Sequence, residues 1–308
     1  DCLLSRGLGD VYKRQAVIPE TIVIYGNTYT VIKLDSYSFN GSPVTSISIP
    51  STVTTIVNAF SSNSYNLTSY TVDSANPNYS SNNGVLMSKG QTMLLKVPRN
   101  LPECLSSSTY TIPSSVTEIG YGCFQYLGGN LTTLTIPSTV TRIISSAFAS
   151  TNLVSIVIPD TVTYLETMIF NGCRQLQTVT FGTGITDLPY YTFGTTTALS
   201  TVNFSGAITN IGPRCFLNSG IASINIPDTV RRIEWASFKG CASLTSVNFG
   251  PNSILNSITG SNNNGAFQSS GLTSFTLPNS VIHVQNSSFK SCPDLPCILS
   301  LIHISEYT

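Results

Sequence analysis

One phrase recurs along this chain and ends each time on phenylalanine, most clearly as Leu131-Thr-Thr-Leu-Thr-Ile-Pro-Ser-Thr-Val-Thr-Arg-Ile-Ile-Ser-Ser-Ala-Phe148. The closing residues are Phe39, Phe60, Phe124, Phe148, Phe170, Phe193, Phe216, Phe238, Phe267 and Phe289, at spacings of 21, 64, 24, 22, 23, 23, 22, 29 and 22. A unit this short cannot bury its own apolar side, so it has to stack on its neighbours, and a fixed period of about 20–29 residues therefore predicts a chain that winds. The expected architecture is a right-handed, curved solenoid. It has a parallel β-sheet on the concave face, short helical or irregular turns opposite, and one inserted β-hairpin in the 64-residue interval.

Inside the unit the period changes. Leu134 and Ile136 alternate with Thr133 and Thr135, the pattern of a half-buried strand. Pro137 ends it because proline has no N–H to give a ladder. Val140 and Ile143 then turn a second apolar pair inward, and Ala147-Phe148 sets a small residue beside a large ring. Burying one such ring contributes about 1.5–3 kcal/mol, more than any local propensity.

The long interval holds one repeat plus an insert at about 72–98, read as a loop and then a hairpin turning near Lys89-Gly90. The shorter insertion before Phe267 contains Ser261-Asn-Asn-Asn-Gly265, a turn. Asp73, Asn76, Asn78 and Asn83 miss the spacing of an EF-hand calcium loop and fit side chains that brace turns.

Both ends break the pattern. Residues 5–15 resemble the translation of a transposase sequencing adapter, and 299–306 resemble its reverse complement, with Tyr307 departing from it. Residues 1–15 and 299–308 are accordingly set aside as tails, leaving 16–298 as one repeat domain.

Composition excludes several classes. Charged residues are 9% of the chain, 14 basic and 14 acidic. A neutral surface without a basic stripe lacks the phosphate-neutralising charge that nucleic-acid binding requires. Apolar runs of about six residues are too short for a spanning helix. Seven cysteines lie outside the tails, and their repeat positions read as small core fillers: Cys173, Cys241 and Cys292 fall three after a closing Phe, Cys123 and Cys215 directly before one. No Cys-x-x-Cys pair points to zinc. His283, the only histidine outside the tails, shares its register with Arg142, Tyr164, Asp187, Asn210 and Arg232, so it reads as an exposed strand residue rather than a general base. No nucleophile, paired carboxylates or phosphate-binding glycine loop stands out. Thus no catalytic residue, metal or cofactor is assigned, and the chain reads as non-enzymatic.

The candidate surface is the outward side of the strands, in rows Thr133/Thr135, Ser155/Val157, Thr178/Thr180, Thr201/Asn203, Ser223/Asn225 and Ser246/Asn248, flanked by Ser46/Ser48 and Ser274/Thr276. Such a face serves equally as a platform for an extended partner or as a polar coat that keeps an exposed sheet soluble. Tyr121, Tyr190 and Trp235 share a second register, where they either stack on sugar rings or pack along the solenoid edge. Six Asn-x-Ser/Thr triplets begin at Asn40, Asn66, Asn78, Asn130, Asn203 and Asn286, a number that chance explains in so Ser- and Thr-rich a chain.

The motif Ile-Pro-x-x-Val-Thr-x-Ile-x-x-x-Ala-Phe, the insert Asn76-Pro-Asn-Tyr79…Gly84-Val-Leu, and the opening Ile18-Pro-Glu-Thr-Ile…Tyr29-Thr-Val together resemble the BspA-like leucine-rich-repeat family over nearly all of 16–298. The resemblance implies a secreted or surface-attached microbial protein that binds a protein partner, such as a host matrix or cell-surface protein. It supplies no fixed binding residues. A glycan-binding module, or the scaffold region of a larger surface protein, is the alternative.

Overall fold

A computed structural model describes residues 15–35, 38–39, 41–57, 64–127 and 129–295; Phe60, Cys297 and all of both tails except Gln15 fall outside them. The described chain is the expected solenoid of parallel strands, and each turn of the coil adds one rung to two ladders. The first ladder runs through Gln15–Val17, Ser46–Ile49 and Ser69–Val72. Past the insert it continues through Thr109–Thr111, Thr133–Thr135, Ser155–Ile158, Thr178–Phe181 and Thr201–Phe204. Ser223–Ile226 and Ser246–Phe249 form its last pair. The second ladder is made of two-residue strands, among them Glu118–Ile119, Arg142–Ile143 and Tyr164–Leu165, then Asp187–Leu188, Asn210–Ile211, Arg232–Ile233, Ser257–Ile258 and His283–Val284. In the turn read above, Leu134, Ile136, Val140 and Ile143 are all buried, as the two periods require.

The closing phenylalanines form one column. From Phe124 to Phe289, centroids of consecutive rings lie 4.9–5.6 Å apart, and from Phe148 onward the planes are within 18° of parallel. The segments carrying these rings are not helical. They are chains of tight turns whose backbone repeats as closely as the rings do. The residues two before and two after Phe148, Ser146 and Ser150, have φ of 60° and 55°; around Phe216 the pair is Arg214 and Asn218, at 53° and 54°. This left-handed conformation costs a side-chain-bearing residue about 1–2 kcal/mol. What it allows is a third ladder. The N–H groups of Ser146, Phe148 and Ser150 donate to the carbonyls of Thr167, Ile169 and Asn171 in the next turn, at 3.0, 3.1 and 2.8 Å. The intervening N–H groups of Ala147 and Ala149 fold back onto Ile144 and Ser146 at 3.2 and 3.0 Å. Every amide of this stretch is therefore satisfied, each such bond contributing about 0.5–1.5 kcal/mol net.

The insert is built into the coil rather than projecting from it. Tyr79–Asn82, Val85–Ser88 and Met93–Lys96 form an antiparallel meander, and the last of these runs parallel to Glu118–Ile119, so it serves as the second-ladder strand of its own turn. Only its second bend, near Lys89-Gly90, was expected. The first is Asn83-Gly84, with φ of 48° and 80°, the two-residue turn whose positive φ values suit Asn-Gly and match strand twist. Asn76 anchors the preceding loop as a turn-bracing side chain. Its Nδ2 donates to the Pro50 and Val53 carbonyls (2.7 and 2.9 Å), and its Oδ1 accepts from the N–H groups of Asn78 and Tyr79 (3.0 and 2.9 Å). In this turn the Val97 N–H donates to the Cys123 carbonyl at 3.0 Å, as each closing phenylalanine from Phe124 to Phe267 donates to the residue before the next ring, and the helix Pro102–Ser106 follows. The middle strand divides the core: Val85 and Met87 join the long apolar cluster that follows, whereas Leu86 joins a smaller one with Ile47, Val53 and Tyr70. Two further antiparallel pairs were not read from the sequence, Thr21–Ile24 with Asn27–Thr30 and Gly260–Ser261 with Asn264–Gly265.

The described cysteines are free thiols, buried except for the half-buried Cys292. Their register explains them. Cys173, Cys241 and Cys292 donate to the carbonyls of Phe148, Phe216 and Phe267 in the turn before, at 3.0, 2.9 and 3.1 Å, the place Thr151 and Thr196 fill with hydroxyls bonded to their own turn's Phe. Burial pushes the Cys173 and Cys241 thiols up to about 11 and those of Cys104 and Cys123 to about 12.

Three outcomes follow. Phe170→Ala or Phe193→Ala, each emptying a fully buried site between two stacked rings, should destabilise the chain by about 3–5 kcal/mol in urea unfolding. Peptide mapping after native alkylation at pH 8 should find Cys104, Cys123, Cys173, Cys215 and Cys241 unmodified, and denaturation should release all five. Because these thiols stay protonated when folded but ionise in the unfolded chain above about pH 8.5, the unfolded state binds fewer protons there, and stability should fall as pH rises from that point.

Candidate functional site

The first ladder presents two outward rows. Its register pairs Thr133 with Ser155 and aligns Ser155, Thr178 and Thr201 in one row; Val157, Thr180 and Asn203 align in the other. Thr135 lies beside Thr111, and Ser223/Asn225 pair with Ser246/Asn248. Thr135, Thr201, Asn203, Ser223, Asn225 and Asn248 are exposed, while Thr133, Ser155, Thr178, Thr180 and Ser246 are half-buried between neighbouring rungs. Val157 breaks the polar series at 62% exposure. Some of the rows' hydrogen-bonding capacity is spent internally: Asn203 Nδ2 donates to Thr180 Oγ1 (3.3 Å) and Asn248 Nδ2 to Asn225 Oδ1 (2.9 Å). Between Ser246–Phe249 and residues 274–278, which do not pair as strands, the face opens into a groove of about 490 Å³.

No charged side chain interrupts these rows. Charge lies on the second ladder instead, where Glu118, Arg142, Asp187, Arg232 and His283 occupy outward positions. There it is used locally. Arg142 pairs with Glu118 at 3.4 Å and lies 4.7 Å over the Tyr164 ring. The Tyr164 hydroxyl donates to Glu166 at 3.3 Å, and Ser145 donates to it through both N–H and Oγ at 3.0 and 2.8 Å. Burial pushes the Glu166 carboxyl up, but these hydrogen bonds outweigh it and hold the group below its ordinary value. Among the described residues, no group of three or more His, Cys, Asp or Glu is placed to hold a metal, and no helix is long and apolar enough to cross a membrane.

The aromatic register divides. Tyr121 stands alone and half exposed, three turns from Tyr190. Tyr190 and Trp235 are two turns apart, both half-buried, with centroids at 6.3 Å and planes inclined by 52°, so they do not form one flat platform. The intervening turn supplies Arg214, which the sequence reading did not single out. Its guanidinium carbon lies 4.9 Å from the Trp235 ring centroid, 5.9 Å from that of Tyr190 and 5.8 Å from that of Tyr191, and its Nη1 donates to the Tyr190 hydroxyl at 3.0 Å. The signal was present in the repeat: with the turns written beneath one another, Tyr190-Tyr191, Pro213-Arg214 and Trp235-Ala236 fall in line.

Comparison with known proteins agrees with this architecture. The model of the BspA type leucine-rich-repeat region matches in six copies, over residues 21–84, 99–222 and 209–305. Among solved structures, a leucine-rich repeat protein from Eubacterium ventriosum ATCC 27560 is similar at 25% identity, covering 93% of this chain and 67% of that one with a TM-score of 0.66. A leucine rich cell surface protein from Faecalibacterium prausnitzii A2-165 aligns at 22% identity over 92% of this chain and 80% of its own, TM-score 0.46. A leucine-rich repeat protein from Bacteroides ovatus ATCC 8483 aligns at 20% over 94% and 87%, TM-score 0.47. No curated protein sequence matches. Six copies of one repeat model spread over most of the chain, on a coil of parallel strands that a solved leucine-rich-repeat structure shares, identify this protein as a member of the BspA-type leucine-rich-repeat family.

Proposed function

We propose that this chain is a non-enzymatic adhesion module, secreted or displayed at a cell surface, that binds an extended protein partner across the outward rows of its first ladder. The observation that carries the reading is the uncharged, in-register double row from Thr133/Thr135 to Ser246/Asn248, beside a second ladder that holds the charge. Such a face gains affinity by adding modest contacts along its length rather than from one deep pocket. Association there should depend little on salt, because few charges are screened. Membership of the BspA-type family supports both a role in binding and an extracellular setting.

Glycan binding is the second reading; Tyr190 and Trp235 lie close together on a separate edge, half-buried and inclined by 52°, without Tyr121.

The adhesion reading is tested by placing charge in the row. The double variant Thr180→Glu with Asn203→Glu sets two carboxylates side by side on neighbouring rungs; their repulsion should cost about 0.2–1 kcal/mol of stability, with circular dichroism verifying that the fold is kept. Binding to a panel of immobilised extracellular-matrix proteins, followed by biolayer interferometry, should weaken at least tenfold, while His283→Glu on the other ladder should leave it intact. Failure to bind any protein of the panel, or equal weakening by both variants, would overturn the assignment.

A further inference from the structure

We infer that Arg214, with Tyr190, Tyr191 and Trp235, forms a binding site for an acidic sugar, in which the guanidinium meets the sugar carboxylate and the rings take the apolar face of the pyranose. The site lies on a different edge from the first-ladder rows and does not depend on their role.

The first observation is that Arg214 has no partner of opposite charge. Among the described residues its contacts are the three rings and the Tyr190 hydroxyl, and no carboxylate comes within ion-pairing distance. Glu234, next to Trp235 in the chain, is engaged through Oε1 by Asn210 Nδ2 at 2.9 Å. Arg142 is the informative contrast: it too lies over a tyrosine, but Glu118 neutralises it. A guanidinium offers five donors in a planar fork that suits a carboxylate, and only one bond, from Nη1 to Tyr190, is accounted for here. Stacking on rings holds the fork in place without neutralising it.

The second observation concerns which ligand fits. The backbone here cannot recognise a peptide by strand addition, because the Tyr191, Phe193, Arg214 and Phe216 N–H groups already donate to the following turn at 3.2, 2.7, 3.1 and 2.7 Å. Recognition is left to side chains. Tyr190 makes angles of 59° with Tyr191 and 52° with Trp235, so the rings present inclined faces instead of a slot for a flat aromatic ligand. Inclined aromatic faces beside an uncompensated cation suit a puckered ring with C–H faces that carries its own anion. The left-handed backbone of Arg214 is no part of the argument, since the same conformation recurs two residues before Phe148, Phe170 and Phe193.

Trp235 is the only tryptophan in the chain, so its fluorescence reports on this site alone. The intact protein is titrated with trigalacturonate, with its fully methyl-esterified form and with a triglutamate peptide. The acid sugar should shift Trp235 emission saturably, with affinity at least tenfold above that of the ester, which keeps the rings and loses the charge. Arg214→Gln should remove the difference between acid and ester, with circular dichroism verifying the fold. Absence of a saturable change, equal response to acid and ester, or triglutamate binding as well as the sugar would each overturn the site; the comparison of acid with ester needs no variant.

Discussion

Rings whose centroids sit 4.9–5.6 Å apart over eight consecutive phenylalanines are spaced almost as stacked β-strands are, about 4.8 Å. That agreement of two lengths holds the coil together. A strand ladder sets the rise, and a benzene ring stacked on its neighbour fills that rise without a gap, adding about 0.5–1.5 kcal/mol per pair beyond the area it buries. The tight turns on either side must then accept an unfavourable φ, and the hydrogen bonds they gain to the next turn offset the cost. Along the column the position before the ring is buried in every case, mostly by a small residue such as Ala147, Cys215 or Ser237, and by Thr192 and the larger Ile169 in two turns.

With the interior occupied in this repetitive way, variation is confined to the outside, where the two ladders differ in kind. One shows hydroxyls and amides in register; the other carries charged side chains, Arg142 paired with Glu118 over the Tyr164 ring and Asp187 held by threonine hydroxyls. A surface without charge gives a partner few long-range cues, so contact there has to be made by shape and by hydrogen bonds over several turns. The ring-and-guanidinium cluster on the third edge has the opposite character, compact and charged. One coil thus carries two chemically separate surfaces that need not compete for the same ligand.

Much of this was legible beforehand, and the reasons are specific. The phenylalanine period, the inward Leu134 and Ile136 and the outward Thr133 and Thr135 follow directly from periods of about 22 and two residues, and the family resemblance rested on the same positions. The first strand of the insert, Tyr79–Asn82, was missed because Tyr-Ser-Ser-Asn carries no apolar alternation; its place is fixed by Asn83-Gly84 and by the Tyr79 hydroxyl accepting the Ile56 N–H at 3.0 Å. The outward rows could be located by alternation alone. Arg214 is marked only by its neighbours when the turns are aligned, because its own register holds Gly122, Ser146, Met168, Tyr191 and Ala236 in other turns and has no shared chemistry. Its neighbours are 24 residues before it and 21 after it, and only stacking joins them.

The strand Val85–Ser88 turns alternate side chains to opposite sides, Leu86 toward one apolar cluster and Val85 and Met87 toward the other. A linear array transmits stability only through nearest neighbours. Among the described residues the stacked phenylalanine column begins only at Phe124, and the strand Val85–Ser88 contributes side chains to both clusters. The molecule therefore has two apolar interiors that share one strand as their common wall.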